Sequence, residues 1–533
     1  MIHPPAVDLL VTRASLVDGS GSPAQAGTVA SIDGRLHIGD ETWRPASART
    51  IDGRGLVVAP GFIDLHSHGG LVVLADPRHE PKVRQGVTTE VIGVDGNGYA
   101  PFRRAGDLDA FVELNAGLDG RPKIAYDWSS VASYIGRYDR GQAVNVAVMV
   151  GNSALRIGAI GWEDVPADEA GLADMRAALR EALEEGAFGV SSGLDYPPGS
   201  FASTDELAAL TREAAASGGF YHTHVRYGLG DRFLDPFREA IEIGRRGEGP
   251  VHLTHFYHRQ TYLGGPEELL RLVDDARASG MDVTFDTYPY EWASTRLLIQ
   301  LPQWVQAGGP MALKDRLADR GTRDRLRTEL VARGAAYTGP GGWADLRLGA
   351  FTRPQNMAWE SRTLADVMHE TGRDAVDAIC DLLLSENLGV AQVTSGPWSE
   401  TLPRFVRHPV GMVGTDSTFL GEKPSPRTYG SFPRILGQFV RDEHLLSLEE
   451  AVRKMTGAPA ARLGLTDRGL LRDGFWADLV IFDPARVRSN ATYNEPRRYP
   501  DGIEYVTVNG TLVVDGNVHT GATPGRALRR GRG

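Results

Sequence analysis

His66 and His68 stand one residue apart at the end of the apolar stretch PGFIDLHSHGG, residues 60–70. Side chains at i and i+2 of a strand share a face, so both imidazoles project together where glycines turn the chain. Two adjacent imidazoles gain little from packing and repel if both are charged. A shared metal ion removes the conflict. Residues of matching chemistry recur at the ends of other apolar runs: Asp95 in IGVDGNG, His224 in YHTHVRYG, His255 in HLTHFYH and Asp416 in VGTDST. Zinc takes imidazole and carboxylate donors, and a catalytic site keeps one position open for water. Water held there loses a proton near neutral pH, and a carboxylate close by can take and return protons. Each piece alone is weak, because a lone strand histidine is usually a satisfied core residue and an aspartate after a strand usually forms a turn or cap. Agreement among separate strand ends carries the reading. His222 and His252 are read as structural, the first a layer below His224 and the second on the opposite strand face from His255. His258 falls in a loop, and His3, His37, His79, His369, His408, His444 and His519 keep ordinary readings.

The elements that must position these residues are eight strand candidates. They are GFIDLHSH, 87–94, 143–151, 187–194, 219–225, 250–256, 282–290 and 410–417. Helical segments separate several of them. STDELAALTREAAASG carries a capping box from Ser203 to Glu206, and DPFREAIEIGRRG places Asp235 at the cap and Pro236 in the first turn. Strand and helix alternating in this way predict an α/β fold, a (β/α)8 barrel whose active site lies at the C-terminal strand ends, with a doubly wound open sheet as the lesser alternative. Short strands with turn signals at both chain ends predict one composite β-sandwich from residues 1–61 and 468–520. The barrel then spans 62–467, with a helical insertion at about 300–400 over its mouth, and 521–533 form a basic, disordered tail.

Composition bounds the partners. The 533 residues are 41% hydrophobic and 23% charged, a globular balance with a net charge of −11. That sign gives no general attraction for nucleic acid or anionic membrane. The single cysteine, Cys380, sits in the helical pattern AVDAICDLLLSE and reads as a core thiol. No apolar run approaches the ~20 residues that span a bilayer, and MIHPPAVDLL lacks the features of a secretory signal. These features point to the cytoplasm.

The sequence resembles the amidohydrolase superfamily and, within it, the N-acyl-D-amino-acid deacylases (D-aminoacylases). The matching segments include APGFIDLHSH, GAFGVSSGLDYPPGSFASTDEL, YHTHVR, HPVGMVGTDS, PRTYGSFPRILGQFVR and RGLLRDGFWADLVIFDP, and they cover nearly all of residues 7–520. The resemblance implies a metal-dependent hydrolase that cleaves the amide bond of N-acyl amino acids. His66 and His68 match the family's first metal pair, His224 and His255 the later histidine ligands, and Asp416 the catalytic acid/base. Asp95 falls where the family has a bridging cysteine in Gly-Asn-Cys-Gly. A carboxylate can ligate zinc at about 2.0–2.2 Å and bridge two ions; being harder than thiolate, it also admits Mn²⁺, Co²⁺ or Fe²⁺. One or two ions are therefore expected. Arg427 in PSPRTYG matches the arginine that holds the substrate carboxylate, with Ser425 in place of a histidine. Tyr288 and Ser294 in TYPYEWAST match further substrate-contacting positions, and Tyr257 replaces a frequent lysine. The substrate is thus a small molecule with an amide and a carboxylate. Hydrolysis of a cyclic amide, as in hydantoinases and dihydropyrimidinases, or of a larger acylated metabolite is the alternative. The bridging lysine that those cyclic-amide enzymes carry on strand four has no counterpart in GVSSGLDY. A non-catalytic scaffold would have lost ligands that are all present here.

Overall fold

The computed structural model describes residues 7–262, 264–333 and 338–531. His3, the first six residues of the N-terminal β segment and the last two of the tail lie outside the described residues. Eight strands form a barrel: β1 Phe62–Asp64, β2 Val87–Ile92, β3 Asn145–Val148 continued at Val150–Gly151, β4 Gly189–Gly193, β5 Phe220–His224, β6 Val251–Leu253, β7 Val283–Thr287 and β8 Gly411–Val413. All pairings around the ring are parallel. The ring closes just beyond the strand ends. Asp416 N donates to His66 O at 2.8 Å and His68 N donates to Ser417 O at 3.1 Å. The seam between β1 and β8 therefore runs through the residues singled out for their chemistry.

The barrel strands are buried along their whole length because helices cover them on the outside. Ser203 Oγ caps the helix Thr204–Ala216 by accepting from Glu206 N at 3.2 Å. The returning half of the box is absent, since the Glu206 carboxylate turns inward to pair with the buried Arg156. Asp235 is the first residue of the next helix, Asp235–Gly247, and not its cap. The Asp231 carboxylate does the capping, accepting from the amides of Phe233, Leu234 and Asp235 at 2.8–3.0 Å. Cys380 is buried in the helix Ala375–Ser385.

The two chain ends meet in one nine-stranded sheet, in which Leu479–Phe482 pairs antiparallel with Val57–Pro60. Leu9, Val11, Leu36, Leu479 and Ile481 share a core on this sheet, whereas Val57, Val480 and Val506 join the main core against the barrel. Between β7 and β8 the chain builds helices around a second core that includes Leu298, Leu313, Ile379 and Leu383. It also builds a three-stranded antiparallel sheet of Trp292–Arg296, Ala391–Ser395 and Arg347–Gly349. This sheet was hidden in the sequence because its strands are short and far apart.

The reading of 521–533 as a disordered tail is corrected for residues 521–531. They run past the N-terminal ends of β3 to β5, with Gly525 N donating to Gln142 O and Leu528 N to Val146 O, both at 2.7 Å. Leu528 packs with Met149, Phe188 and Phe220, and Arg529 pairs with Asp139. The Arg-Gly composition conceals one buried leucine. Truncation after Gly521 is expected to lower the thermal midpoint by a few degrees, since burial of Leu528 alone contributes about 2 kcal/mol. Scanning calorimetry of the truncated chain measures this, and an unchanged midpoint would mean that the tail rests on the barrel without supporting it.

Candidate active site

The donor atoms of six residues converge at the C-terminal mouth in two sets that share Asp95. One is His66, His68, Asp95 and Asp416, the other Asp95, His224 and His255, with the donor atoms of each set within 4.8 Å of one another. Asp95 Oδ2 lies 3.3 Å from His66 Nε2 and 3.7 Å from His68 Nε2, His224 Nδ1 and His255 Nε2. Asp416 Oδ1 faces His66 Nε2 at 3.5 Å and His68 Nε2 at 3.4 Å. These spacings leave room for an ion between donors, and His66 Nε2 is buried with no hydrogen-bond partner.

Each imidazole is held from behind. His68 Nδ1 is 2.8 Å from Asp119 Oδ1, His224 Nε2 is 3.0 Å from Asp195 Oδ2, and His255 Nδ1 is 3.1 Å from Tyr227 Oη. His66 Nδ1 faces Asp286 Oδ1 at 3.4 Å. One ring nitrogen is thus engaged by a supporting group while the other points to the centre, as in metal sites whose ligands are oriented by their neighbours. His224 Nδ1 and His255 Nε2 meet at 2.9 Å. Both nitrogens also face Asp95 Oδ2 at 3.7 Å, so the three donor atoms close on one point.

The local electrostatics follow from burial of so many carboxylates. Burial works against a charged His66, yet Asp95, Asp416 and Asp286 hold it up to about 10. Burial likewise opposes a charged His224, but Asp195 and Asp95 hold it up to about 9. His255 moves down through burial and the neighbouring His224 charge. Burial favours a protonated Asp416, but Arg427, 2.8 Å away, and His66 outweigh it and pull its carboxyl to about 2. Asp95 is held well below the ordinary carboxylate range, since His66, His224 and His255 outweigh burial.

Beneath the mouth a second charged layer braces the seam. Asp64 Oδ1 accepts from His66 N at 3.1 Å and Thr415 N at 3.0 Å. Its other oxygen pairs with Lys82, which also donates to Thr415 Oγ1 at 2.8 Å and faces Glu90 at 3.5 Å. His66, and Thr415 just before Asp416, are thereby fixed to one buried ion pair. A buried ion pair broken on one side costs about 3–5 kcal/mol, so this layer is rigid.

Two placements differ from the strand-period reading. β6 ends at Leu253, so His255 lies past the strand, and its backbone is left-handed at φ 34°. That turn brings His255 into the mouth although His252 also faces inward, with Nε2 3.0 Å from Asp286 Oδ2 and its ring stacked on His222. His252 is therefore a partner of the supporting carboxylate and not an outward residue. His222 stays structural, with Nε2 3.1 Å from Leu65 O, although with His66 and Asp286 it forms a third potential donor group. His258 is buried against Phe233 and Trp398.

A small cavity of about 40 Å³ opens onto Asp95, His224, His255 and Asp416. Tyr288 and Ser294 line it. Arg427 lies behind it, fully buried, with its guanidinium 4.3 Å from the Tyr288 ring centroid and donating to Ser294 O at 3.0 Å. Sequence reasoning missed Asp119, Asp195, Asp286, Tyr227 and Arg259. Only Asp286 carried a signal, a carboxylate inside the apolar strand DVTFDTYPY.

A (β/α)8 barrel with buried histidines and carboxylates at its C-terminal mouth is the plan of a metal-dependent hydrolase. The chain belongs to the amidohydrolase family, whose profile matches residues 49–514. N-acyl-D-aspartate deacylase of Alcaligenes xylosoxydans xylosoxydans is 34% identical over 540 residues, covering 99% of this chain and 96% of that one. D-aminoacylase of the same organism is 34% identical over 528 residues, covering 98% of each. The crystal structure of N-acyl-D-glutamate deacylase from Bordetella bronchiseptica, complexed with zinc and a phosphonate inhibitor mimicking the tetrahedral intermediate, matches with a TM-score of 0.82 and 30% identity. The match covers 98% of this chain and all of that one.

The histidine shifts have a measurable sign. Raised values for His66 and His224 favour the folded ion-free protein below pH 6.5, an advantage lost as pH climbs through about 9 and about 10. The depressed Asp416 contributes above pH 3.8, and its share is lost as pH falls through about 2. Filling both donor sets with divalent ions at pH 7 is expected to release about three protons, from His66, His68 and His224, because ligating imidazoles must be neutral. Calorimetric titration in two buffers of different ionisation enthalpy counts them, and zero released protons would mean that these histidines are already neutral.

Proposed function

We propose that the protein hydrolyses the amide bond of N-acyl amino acids of the D series, giving a carboxylate and a free amine. The observation that carries this reading is the convergence of His66, His68, Asp95, His224, His255 and Asp416 in two donor sets that share Asp95, with Asp95, His224, His255 and Asp416 opening onto one small cavity. The donor set suits zinc, with Mn²⁺, Co²⁺ or Fe²⁺ as harder alternatives. His224, His255 and Asp95 form the principal site, which leaves Asp416 free; His66 and His68 serve a second, weaker one. When bound, the ion polarises the scissile carbonyl and acidifies water.

The chain's own residues do the rest. Asp416, ionised at neutral pH through Arg427 and His66, takes the proton from water as it attacks the carbonyl carbon. It passes that proton to the amide nitrogen as the C–N bond breaks. The transfer runs downhill, because an amine is far more basic than this carboxylate. Arg427 keeps Asp416 charged and aimed at the mouth. Tyr288 and Ser294 present hydroxyls to the substrate beside Asp416. The names of the relatives, deacylases of N-acyl-D-aspartate and D-aminoacylase among them, support the D series and a linear amide. A cyclic amide is less favoured, as β4 offers Ser191 and Ser192 but no lysine to the barrel.

Hydrolysis of paired N-acyl-D- and N-acyl-L-amino acids, before and after chelation, tests the assignment. Chelator-sensitive cleavage of the D series is expected, and metal-replete protein silent on both series would refute it. Asp416→Asn should lower kcat about 10²–10⁴-fold while elemental analysis finds the bound metal nearly unchanged. Loss of the metal in that variant would make Asp416 a ligand instead.

A further inference from the structure

We propose that Arg259 is the specificity-determining residue that receives a carboxylate of the substrate, an assignment that rests on the deacylase reading above. Arg259 lines the inner cavity together with His255 and Asp416. It also lines the adjoining pocket of about 120 Å³ that Trp292 and Trp398 wall. Arg259 is thus a wall common to the reacting centre and to this second pocket.

Its own surroundings leave that charge unanswered. Nη2 donates to Tyr257 Oη at 2.9 Å, and Nε is shielded from solvent with no hydrogen-bond partner. The rings of Tyr227 and Tyr257 flank it at 5.3 Å, and that of Tyr262 at 6.0 Å. Among the described residues no carboxylate pairs with it. Aromatic faces hold a guanidinium in place and partly offset its lost hydration, but they do not supply a counter-charge. A shielded cation beside a cavity is completed by an anion that arrives with the ligand, and the fork of a guanidinium matches a carboxylate.

The other candidate is already committed. Arg427 is fully buried, pairs with Asp416 at 2.8 Å and donates to Ser294 O at 3.0 Å. A substrate carboxylate drawn to Arg427 would compete with Asp416 for the charge that keeps this group ionised. At Arg259 it meets no such competition. Tyr227 further ties the two sites together, since it packs against Arg259 while its hydroxyl lies 3.1 Å from His255 Nδ1.

The test uses the metal-replete full chain and its Arg259→Gln and Arg259→Lys variants. The substrates are N-acetyl-D-methionine, N-acetyl-D-glutamate and N-acetyl-D-methionine amide. Arg259→Gln is expected to raise KM for the acids about thirty-fold, to leave kcat nearly unchanged and to spare the neutral amide, with partial recovery in Arg259→Lys. An equal effect on both acids assigns the α-carboxylate; an effect confined to N-acetyl-D-glutamate assigns the side-chain carboxylate. An unchanged KM for both acids overturns the assignment, as does an equal loss on the amide, which signals damage to the fold or metal centre. Wild-type protein that cleaves neither acid defeats the deacylase reading itself and the carboxylate site with it, an outcome distinguishable because it appears before any substitution.

Discussion

The rest of the structure answers to one constraint, the confinement of negative charge at the barrel mouth. Asp95, Asp119, Asp195, Asp286 and Asp416 are all buried within a short distance of one another. Isolated carboxylates in such a place would be prohibitive. They are tolerated because imidazoles and Arg427 interleave with them, so that His66 and His224 are pushed towards the charged form. A proton and a divalent cation are alternative answers to the same deficit. The supporting carboxylates therefore do two things at once: they orient the rings and make the centre attractive to a cation.

Aiming these groups requires backbone that ordinary strands do not provide. Asp95, His255 and Asp416 are left-handed, at φ 52°, 34° and 46°, and each lies two or three residues past its strand. A non-glycine residue in that region costs about 1–2 kcal/mol. The conformations persist because neighbouring bonds over-determine them. His255 N donates to Asp286 Oδ1 at 3.0 Å, and Asp416 N donates to His66 O at 2.8 Å. The hydrogen bond from Asp416 that helps to close the barrel thus also holds a strained residue, and the Asp64–Lys82 pair below fixes Thr415 just before it.

This division explains what could be read from the sequence. His224 ends β5, and His66 and His68 follow β1 closely enough that the period of two and the flanking apolar residues announce an inward face. The alternation of strand and helix likewise announces the barrel. Asp95, His255 and Asp416 were legible as candidates by residue type, but their direction was not, because a left-handed turn cancels the alternation. That is why His252 looked as though it should face outward. Asp119 and Asp195 gave no signal at all: in GLDGRP and GLDYPPG each has the surroundings of a turn former. Arg259 was equally silent, since nothing local distinguishes a loop arginine in solvent from one enclosed by three tyrosines.

Asp95 is where the geometry and the proposed chemistry meet. Its Oδ2 faces all four imidazoles, while Oδ1 accepts from Thr254 Oγ1 at 3.3 Å. A single oxygen is therefore common to both donor sets, and two ions would have to share its charge. The set with His224 and His255 needs only Asp95 as its anion, whereas the set with His66 and His68 draws on Asp416 as well. An ion in the second set competes for the carboxylate that the mechanism uses to carry a proton. The first set is the one compatible with a free Asp416, and Arg427 strengthens that separation by occupying the other face of the same carboxylate. Keeping Arg427 at that task is in turn what leaves substrate recognition to a cation farther out along the cavity.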